Sequence, residues 1–503
     1  MSDALARRAR ALIEDFPYYA ENVLKIRTKS GSIRPFVMNA AQRLVHRKLQ
    51  DQLEATGKVR ALVLKGRQQG MSTYIEGRFY HKTTNSKGKY ALILTHLQDS
   101  TDALFDMTKR YHELLPDSLR PATEAASAKE LHFSGIDSGF GVATAGSRAV
   151  GRGRTIQYFH GSEAAFWANA DEHMAGIGQA VPDEPGTEVI LETTANGVGN
   201  PFHQRWQDAE RGIGEYIAIF VPWYLEDGYR SPVAPDFALD ADEAEYAQLY
   251  GLDVEQMAWR RKKIHGDFRG DVELFDQEYP ATAALAFRRV SGNPLIDPLH
   301  VGKARRSDIT GEGPLIMGVD PAEYGDDSTA IALRAGRECK AIFRYQGRGP
   351  MEVVGLVAKH AEEYQPVAIN VDCTGVGSGV ADRLLELGFP VNRVHFGEKA
   401  ILAEQYAIRR DEMWGEMQKW FADQPNKIPN DDALESDLCA PQYSYDSSRR
   451  LKLERKEDMK KRGIRSPDAA DALALTFAVP IHGTIQGAKA FRGIRSGARD
   501  WRA

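Results

Sequence analysis

Five apolar runs of strand length, Arg60–Leu64, Tyr90–Thr95, Ile156–Phe159, Glu188–Glu192 and Tyr216–Val221, are separated by longer stretches of helical patterning. Strands that alternate with helices are joined by crossovers, so the runs predict a mostly parallel sheet covered by helices. From Asp236 to about Arg289 the pattern turns helical and charged, as in EAEYAQLYG and MAWRRKKIHG. The turn residues of SGNPLIDP follow, which sets a boundary between Ser291 and Gly313. Beyond it the pattern changes. Leu315–Asp320, Ser328–Arg334 and Lys340–Tyr345 are short strands with tight connections, so they are expected to be antiparallel neighbours. A helix (Met351–Tyr364), a strand (Val367–Asp372), a helix (Val380–Leu387) and a strand (Val391–Phe396) complete the series.

Three antiparallel strands followed by α-β-α-β is the element order of the ribonuclease H-like fold. The whole chain reads as α/β, with a first domain over 1–235, a helical lid or linker over 236–312, a second domain over 313–480 and a flexible basic tail over 481–503. A length of 503 residues fits more than one core. With 42% hydrophobic and 27% charged residues the balance is that of a globular protein. A net charge of −5 means that any nucleic-acid contact must come from local basic patches. Cys339, Cys373 and Cys439 are too few and too scattered for a disulfide framework or a zinc site, which fits a reducing compartment. No apolar run reaches the roughly 18 residues of a membrane span. The segment MSDALARRARALIEDF lacks the apolar core of a signal peptide, so a cytoplasmic location is expected.

The strongest local signal is LVLKGRQQGMST, Leu62–Thr73, in which a strand runs into a glycine-bearing loop and a helix begins near Ser72. Loop amides and a helix N-terminus in that geometry can cradle phosphates, and the Ser72 hydroxyl stands where magnesium would bind. Against G-x-x-x-x-G-K-[ST], Lys65 replaces the first glycine and Met71 the lysine. The cation for a triphosphate must then come from Lys65 or Arg67. The alternative is a basic strand-to-helix turn without a ligand.

Further on, TIQYFHGSEAAFW ends a strand in Ser162 and Glu163. Ser162 occupies the usual aspartate position, and Glu163 is the candidate general base. Asp171 and Glu172, in ANADEHM, read as helix surface. The polar run Glu192–Gly197 follows another strand and could sense a γ-phosphate. The glycine-hinged basic loop Ala145–Arg154 offers Arg148 and Arg152 as an arginine finger or a DNA grip, or is simply a solvated loop.

In the second half, Asp320 and Asp372 each end a strand. Asp468 and Asp471 lie in SPDAADALAL, where an i, i+3 spacing puts them on one helix face. Hydrolysis of a phosphodiester by two divalent cations, Mg²⁺ or Mn²⁺, needs convergent carboxylates. Asp320, Asp372 and Asp471 form the expected core, with Asp468 accessory. Asp326 and Asp327 read as hairpin-turn residues. RRLKLERKEDMKKRGIR, Arg449–Arg465, has nine basic residues against three acidic and is a candidate clamp on DNA phosphates or a solvated face.

Taken in order, PFVMNAAQ, KGRQQGMST, SRAVGRGRT, SEAAFW, TTANG, WRRKK, FDQEYP, GVDPAEYGDDSTAI, VDCTGVGSGV and SPDAADALAL resemble the large terminase subunit of tailed bacteriophages, over roughly Pro35 to Ala478. The resemblance implies an N-terminal ASCE-type P-loop ATPase and a C-terminal ribonuclease H-like nuclease. It implies ATP with Mg²⁺ held by Gln42 on the adenine side and by Lys65, Gly66, Arg67, Gln68, Gln69, Gly70, Met71, Ser72 and Thr73. It also implies double-stranded DNA, a portal protein and a small terminase subunit as partners. The protein would be a monomer when free in the host cytoplasm and a ring on the procapsid. Met71 and Ser162 depart from the family's usual lysine and aspartate. Two rivals remain: a helicase or repair translocase bearing a nuclease, and a scaffold whose ATPase is inactive.

Overall fold

The computed structural model describes residues 3–127, 129–145, 154–291, 294–322 and 327–479. The chain separates into two compact units. Unit 1 takes Met1–Pro298, Asp431–Gln442 and Glu454–Ser466; unit 2 takes Leu299–Asn430, Tyr443–Leu453 and the chain from Pro467 on. This division cuts across the expected boundaries at 235 and 312. The helical stretch from Asp236 belongs with unit 1, and two segments from late in the chain return to it. Their anchors are far apart in sequence: Arg211 pairs with Asp437 at 2.6 Å, and Ser436 Oγ donates to Glu210 at 2.9 Å. No local pattern carries that information.

The eight strands of the unit 1 sheet are β1 (Val59–Lys65), β2 (Tyr90–Thr95), β3 (Thr123–Ser127), β4 (Glu130–Phe133), β5 (Ser138–Thr144), β6 (Tyr158–Ser162), β7 (Glu188–Thr193) and β8 (Ile217–Val221). They are ordered β8-β1-β7-β6-β2-β5-β4-β3, and β8 through β5 run parallel. That order of the parallel core is the one found in ASCE-type P-loop ATPases. In the β1 run VRALVLK, Ala61–Leu64 is continuously apolar because both faces of the strand are covered. Ala61 and Val63 enter one core with Ile93, Ile190 and Ile219, while Leu62 and Leu64 enter the other with Leu94, Phe159 and Leu191. The helices used below are α1 (Ala40–Thr56), α2 (Met71–Thr84) and α3 (Pro201–Glu210). The expected strands are all present within a few residues, whereas β3, β4 and β5 were not anticipated. SGFGVAT is glycine-rich and joins the sheet parallel to β2, and the short strands ELHF and TEAAS then extend it by antiparallel pairing.

Unit 2 has five strands, β9 (Leu315–Asp320), β10 (Thr329–Ala335), β11 (Glu338–Tyr345), β12 (Ala368–Asp372) and β13 (Val391–Val394), ordered β11-β10-β9-β12-β13. The first three are antiparallel and β9, β12 and β13 are parallel, as the ribonuclease H-like fold requires. Helices α4 (Pro350–Tyr364) and α5 (Gly377–Glu386) bury Val353, Val357 and Val380 against Met317, Val319, Ile331 and Ile369 on one face. Two further helices are α6 (Arg409–Ala422) and α7 (Asp468–Leu475). α7 crosses β9 so closely that a Cβ on Gly318 would lie 2.0 Å from the Ala472 carbonyl oxygen. Asn370 Nδ2 donates to Leu475 O at 2.7 Å and Arg334 Nε to Thr476 Oγ1 at 2.7 Å, which fixes the helix on the sheet. The three cysteines are buried and unbridged. Among the described residues no helix is long and apolar enough to cross a membrane.

Candidate functional site

In unit 1 the parallel strands deliver their carboxyl ends to one edge of the sheet. Ser162 is paired with Glu192 and Leu64 with Thr193, so Lys65, Glu163 and Glu192 arrive side by side. The loop from β1 to α2 passes through left-handed conformations at Gln68 (φ 53°) and Gly70 (φ 74°). A Cβ on Gly70 would also lie 2.8 Å from Gln42 Nε2, so that position requires glycine. Side chains brace the loop. Gly66 N donates to Gln69 Oε1 at 2.7 Å, and Gln69 Nε2 donates to Pro222 O at 2.8 Å. Gln42 Nε2 donates to Gly70 O at 2.7 Å, while its Oε1 accepts from Asn39 N at 3.0 Å in the capping box of α1. Both polar atoms of Gln42, expected on the adenine side, are therefore engaged with the loop and with its own helix start. The Thr73 carbonyl accepts from Tyr111 Oη at 3.0 Å.

The two candidate cations differ. Lys65 is buried, with Nζ 3.2 Å from Glu163 Oε1 and 3.0 Å from Glu192 Oε2. Arg67 is exposed and ion-paired with Glu278 of the FDQEYP stretch. Met71 packs among Tyr74, Ile75 and Ala41 in the core, so its side chain is removed from the expected ligand set and only its backbone stays at the helix start.

Glu163 directly follows β6 in a left-handed conformation (φ 51°), uncommon for a residue with a side chain. Its Oε2 accepts from Thr193 Oγ1 at 3.3 Å and Thr194 N at 3.2 Å, and its side chain is 25% exposed. Behind it lies Glu192, fully buried. One oxygen, Oε1, accepts from Ser72 Oγ at 2.7 Å and Ser162 Oγ at 3.0 Å, with His160 Nε2 at 3.6 Å. Sequence reading placed Glu192 only at the head of a polar run. An acid closing the buried run EVILE was the available signal.

Charge in this cluster is compensated. Burial opposes the Lys65 ammonium, but Glu192 and Glu163 overcome it and hold the amine well above the usual lysine range. Burial likewise opposes the Glu192 carboxylate, and Lys65 and His160 pull it far below the usual range. His160 is pushed up to about 9: burial works against its charge, and hydrogen bonds to Glu192 and Glu76 outweigh that. Asp171 and Glu172 lie exposed on the helix Ala170–Ala180, as expected. Arg148 and Arg152 fall outside the described residues. Arg154, which follows them, pairs with Glu130 and stacks 4.3 Å over the Tyr90 ring.

In unit 2, Asp320 and Asp372 end the neighbouring parallel strands β9 and β12, paired up to Val319 and Val371, and both are mostly buried. Asp372 Oδ1 accepts from Thr374 N at 3.0 Å and Thr374 Oγ1 at 2.8 Å. The two aspartates of α7 part company. Asp468 Oδ2 accepts from Ser328 N at 2.8 Å, just before β10, whose Ala330 is the partner of Asp320. Asp471 is fully buried against α6, 3.1 Å from Arg410 Nε and accepting from Trp414 Nε1 at 2.7 Å. Asp471 is committed to a buried ion pair, and Asp468 is the helix carboxylate at the strand-end edge. Asp326 lies outside the described residues. Among the described residues, no three His, Cys, Asp or Glu side chains are gathered as a metal site. The carboxylates at this edge are all hard oxygen donors, the class suited to Mg²⁺ or Mn²⁺.

The basic stretch is divided. Arg449–Leu453 goes with unit 2, and the residues from Glu454 to Arg465 go with unit 1. Within unit 1, Arg462 is held by Glu454 at 2.5 Å and Arg465 by Asp208, while Lys460 and Lys461 are exposed.

No family model matches the chain. Among solved structures, the HK97 bacteriophage large terminase is 12% identical and is matched over 92% of this chain and 99% of that one, with a TM-score of 0.42. The nuclease domain of the large terminase subunit gp2 of bacterial virus Sf6 is 18% identical over 37% of this chain and all of that one, with a TM-score of 0.35. The large terminase nuclease from thermophilic phage G20c, solved with bound magnesium, is 14% identical over 37% of this chain and 97% of that one, with a TM-score of 0.30. The function has to be read from the chain's own residues.

Proposed function

We propose that this chain is a DNA-packaging motor of the large terminase type, which hydrolyses ATP to translocate double-stranded DNA into a procapsid and cuts that DNA with divalent cations. One observation carries the reading: a single chain holds a braced phosphate-type loop with Lys65, Ser72 and Glu163 at one sheet edge, and paired strand-end aspartates in a ribonuclease H-like unit. Lys65 is the cation of the nucleotide site, since Arg67 is exposed on Glu278. Glu163 accepts the proton of the attacking water, and the donors Thr193 and Thr194 hold its carboxylate toward that task.

In unit 2, Asp320, Asp372 and Asp468 would hold the cations that supply Lewis-acid activation of water and of the phosphodiester. Asp471 positions α7 through Arg410 and Trp414. Arg148 or Arg152 serves as an arginine finger. A portal, a small subunit and a ring of copies on the procapsid in the host cytoplasm complete the proposal. The test uses the full chain, with ATP turnover and Mg²⁺- or Mn²⁺-dependent plasmid cleavage measured in the presence of DNA. Glu163→Gln should abolish turnover and spare cleavage, and Asp320→Ala the reverse. Metal-dependent cleavage with no ATP turnover under any condition would instead support a nuclease scaffold.

A further inference from the structure

We infer that Glu192, at the carboxyl end of β7, is the magnesium-holding carboxylate of the nucleotide site, replacing from the adjacent strand the aspartate that β6 lacks. The inference rests on the ATPase reading above. A P-loop hydroxyl and a strand-end carboxylate normally share one magnesium ion. Here the hydroxyl is Ser72, and the carboxylate oxygen within its hydrogen-bond reach, at 2.7 Å, belongs to Glu192.

The register explains how the role can change strands. Ser162 and Glu192 are direct partners across β6 and β7, and Ser162 Oγ donates to the same Glu192 oxygen at 3.0 Å. An aspartate at 162 would set a second buried carboxylate against Glu192, and like charges that close cannot both stay ionised. Serine removes the conflict and adds a donor, so Ser162 and Glu192 make sense as a pair. Glutamate is also one methylene longer than aspartate, which suits a ligand reaching in from the next strand.

Glu192 is unusual as a purely structural residue. It is fully buried at the open edge of the sheet, yet it is flanked by Lys65 and by His160, and the latter is in turn paired with Glu76 at 3.1 Å. Thr194 Oγ1, buried two residues beyond, has no hydrogen-bond partner among the described residues, an unmet polar atom beside the same carboxylates. Lys65 Nζ bridges Glu192 and Glu163. When Glu192 is engaged by a divalent cation, Lys65 is freed toward phosphate oxygens, which reconciles a buried, doubly paired lysine with a role in triphosphate binding.

The test measures binding of a non-hydrolysable ATP analogue, AMP-PNP, to the full chain by calorimetry, in Mg²⁺ and in EDTA. Mg²⁺ should strengthen wild-type binding at least tenfold. In Glu192→Gln that enhancement should fall below twofold while affinity in EDTA is retained, and adding Ser162→Asp should restore it. Glu192→Asp keeps the charge that Lys65 and His160 need, so it guards against a misfolded Gln variant; its Mg²⁺ enhancement should drop at least fivefold. Undiminished enhancement in either folded Glu192 variant would overturn the inference. Failure of wild type to bind AMP-PNP at all would overturn the nucleotide-site reading beneath it.

Discussion

In unit 1 the strand-end carboxylates Glu163 and Glu192 face the side-chain cations Lys65 and His160, whereas in unit 2 Asp372 is fixed by the amide and hydroxyl of Thr374, and Asp468 by the amide of Ser328. Both sheets use the same device, a row of parallel strands ending in acids. A carboxylate deep in a parallel sheet must be compensated by a cation or it will take up a proton. Asp468, only half-buried, is aimed by a neutral donor, which sets its position without itself cancelling its charge. α7 shows both modes within one turn, since Asp471 pairs with a buried arginine while Asp468 meets only part of that burial.

The sharpest way to break this contrast lies in α7. Asp471→Asn removes the partner of a buried guanidinium, and breaking such a pair costs about 3–5 kcal/mol. We expect a large loss of stability on denaturant unfolding, with cleavage reduced only as far as unit 2 unfolds. Asp468→Asn should change stability by no more than about 1 kcal/mol, the scale of a lost cap, and should abolish metal-dependent cleavage of plasmid DNA. The reverse pattern, with a stable, inactive Asp471 variant, would return Asp471 to the metal site.

The second test concerns the half-exposed member of the unit 1 cluster. Glu163→Gln leaves Lys65 paired with Glu192, so folding and nucleotide binding should survive. Turnover should fall by about 10²–10⁴, the usual contribution of general-base catalysis. Equal losses of binding and turnover would mean that Glu163 is part of the electrostatic frame and is not the base.

The third effect is a pH dependence, and its sign follows from His160. Its folded value is raised from the ordinary imidazole range to about 9 by Glu192 and Glu76, against burial. Its contribution to stability is therefore complete below about 6.5 and is lost as pH rises through about 9. Glu192 has the opposite sign: depressed by Lys65 and His160, it stabilises above the ordinary carboxylate range and is lost only in strong acid. From these two groups unit 1 should be most stable between the ordinary carboxylate range and about pH 6.5, and weaken from pH 6.5 to 9 by at most about 1.4 kcal/mol per unit for the His160 proton. His160→Gln should flatten that limb in thermal unfolding across pH, and an unchanged slope would assign it to another group.

Much of the fold was legible because strand burial writes itself as apolar runs, and both sheets have the expected strands at their centres. What sequence missed has physical reasons. β5 joins parallel to β2, and β4 and β3 extend the sheet by antiparallel pairing, all with little apolar signal, and the return of Asp431–Gln442 and Glu454–Ser466 to unit 1 depends on contacts such as Arg211 with Asp437. At the candidate site, strand-end positions found Lys65, Glu163, Asp320 and Asp372, since a polar residue closing an apolar run has few places to go. Helical periodicity put Asp468 and Asp471 on one face, but it carried no record of Arg410 and Trp414 waiting opposite the second of them. Glu192 was visible as a strand-end acid. Its centrality arises from lateral register with Ser162, which no one-dimensional pattern specifies.

The smallest expected effect extends the contrast between buried and exposed charge to the basic segment. The run before α7 looks uniform in sequence, yet Arg462 is held in a fork by Glu454 through Nε at 2.7 Å and Nη2 at 2.5 Å, while Lys460 and Lys461 are exposed. Lys461 is 2.7 Å from Asp458, a surface pair of the kind that contributes little and is readily exchanged for another anion. Phosphate contacts of this type act through counterion release, each neutralised phosphate adding about 0.9 to the slope of log affinity against log salt. Changing Lys460 and Lys461 together to alanine should weaken binding to duplex DNA regardless of sequence and reduce that slope by up to roughly two. Stability should hardly move. Arg462→Ala should do the opposite, lowering unit 1 stability because Glu454 loses its partner, with little change in salt slope. If Arg462 controls the slope and the lysines do not, the fork opens when DNA binds, and pairing in the free chain is no guide to which cations grip the duplex.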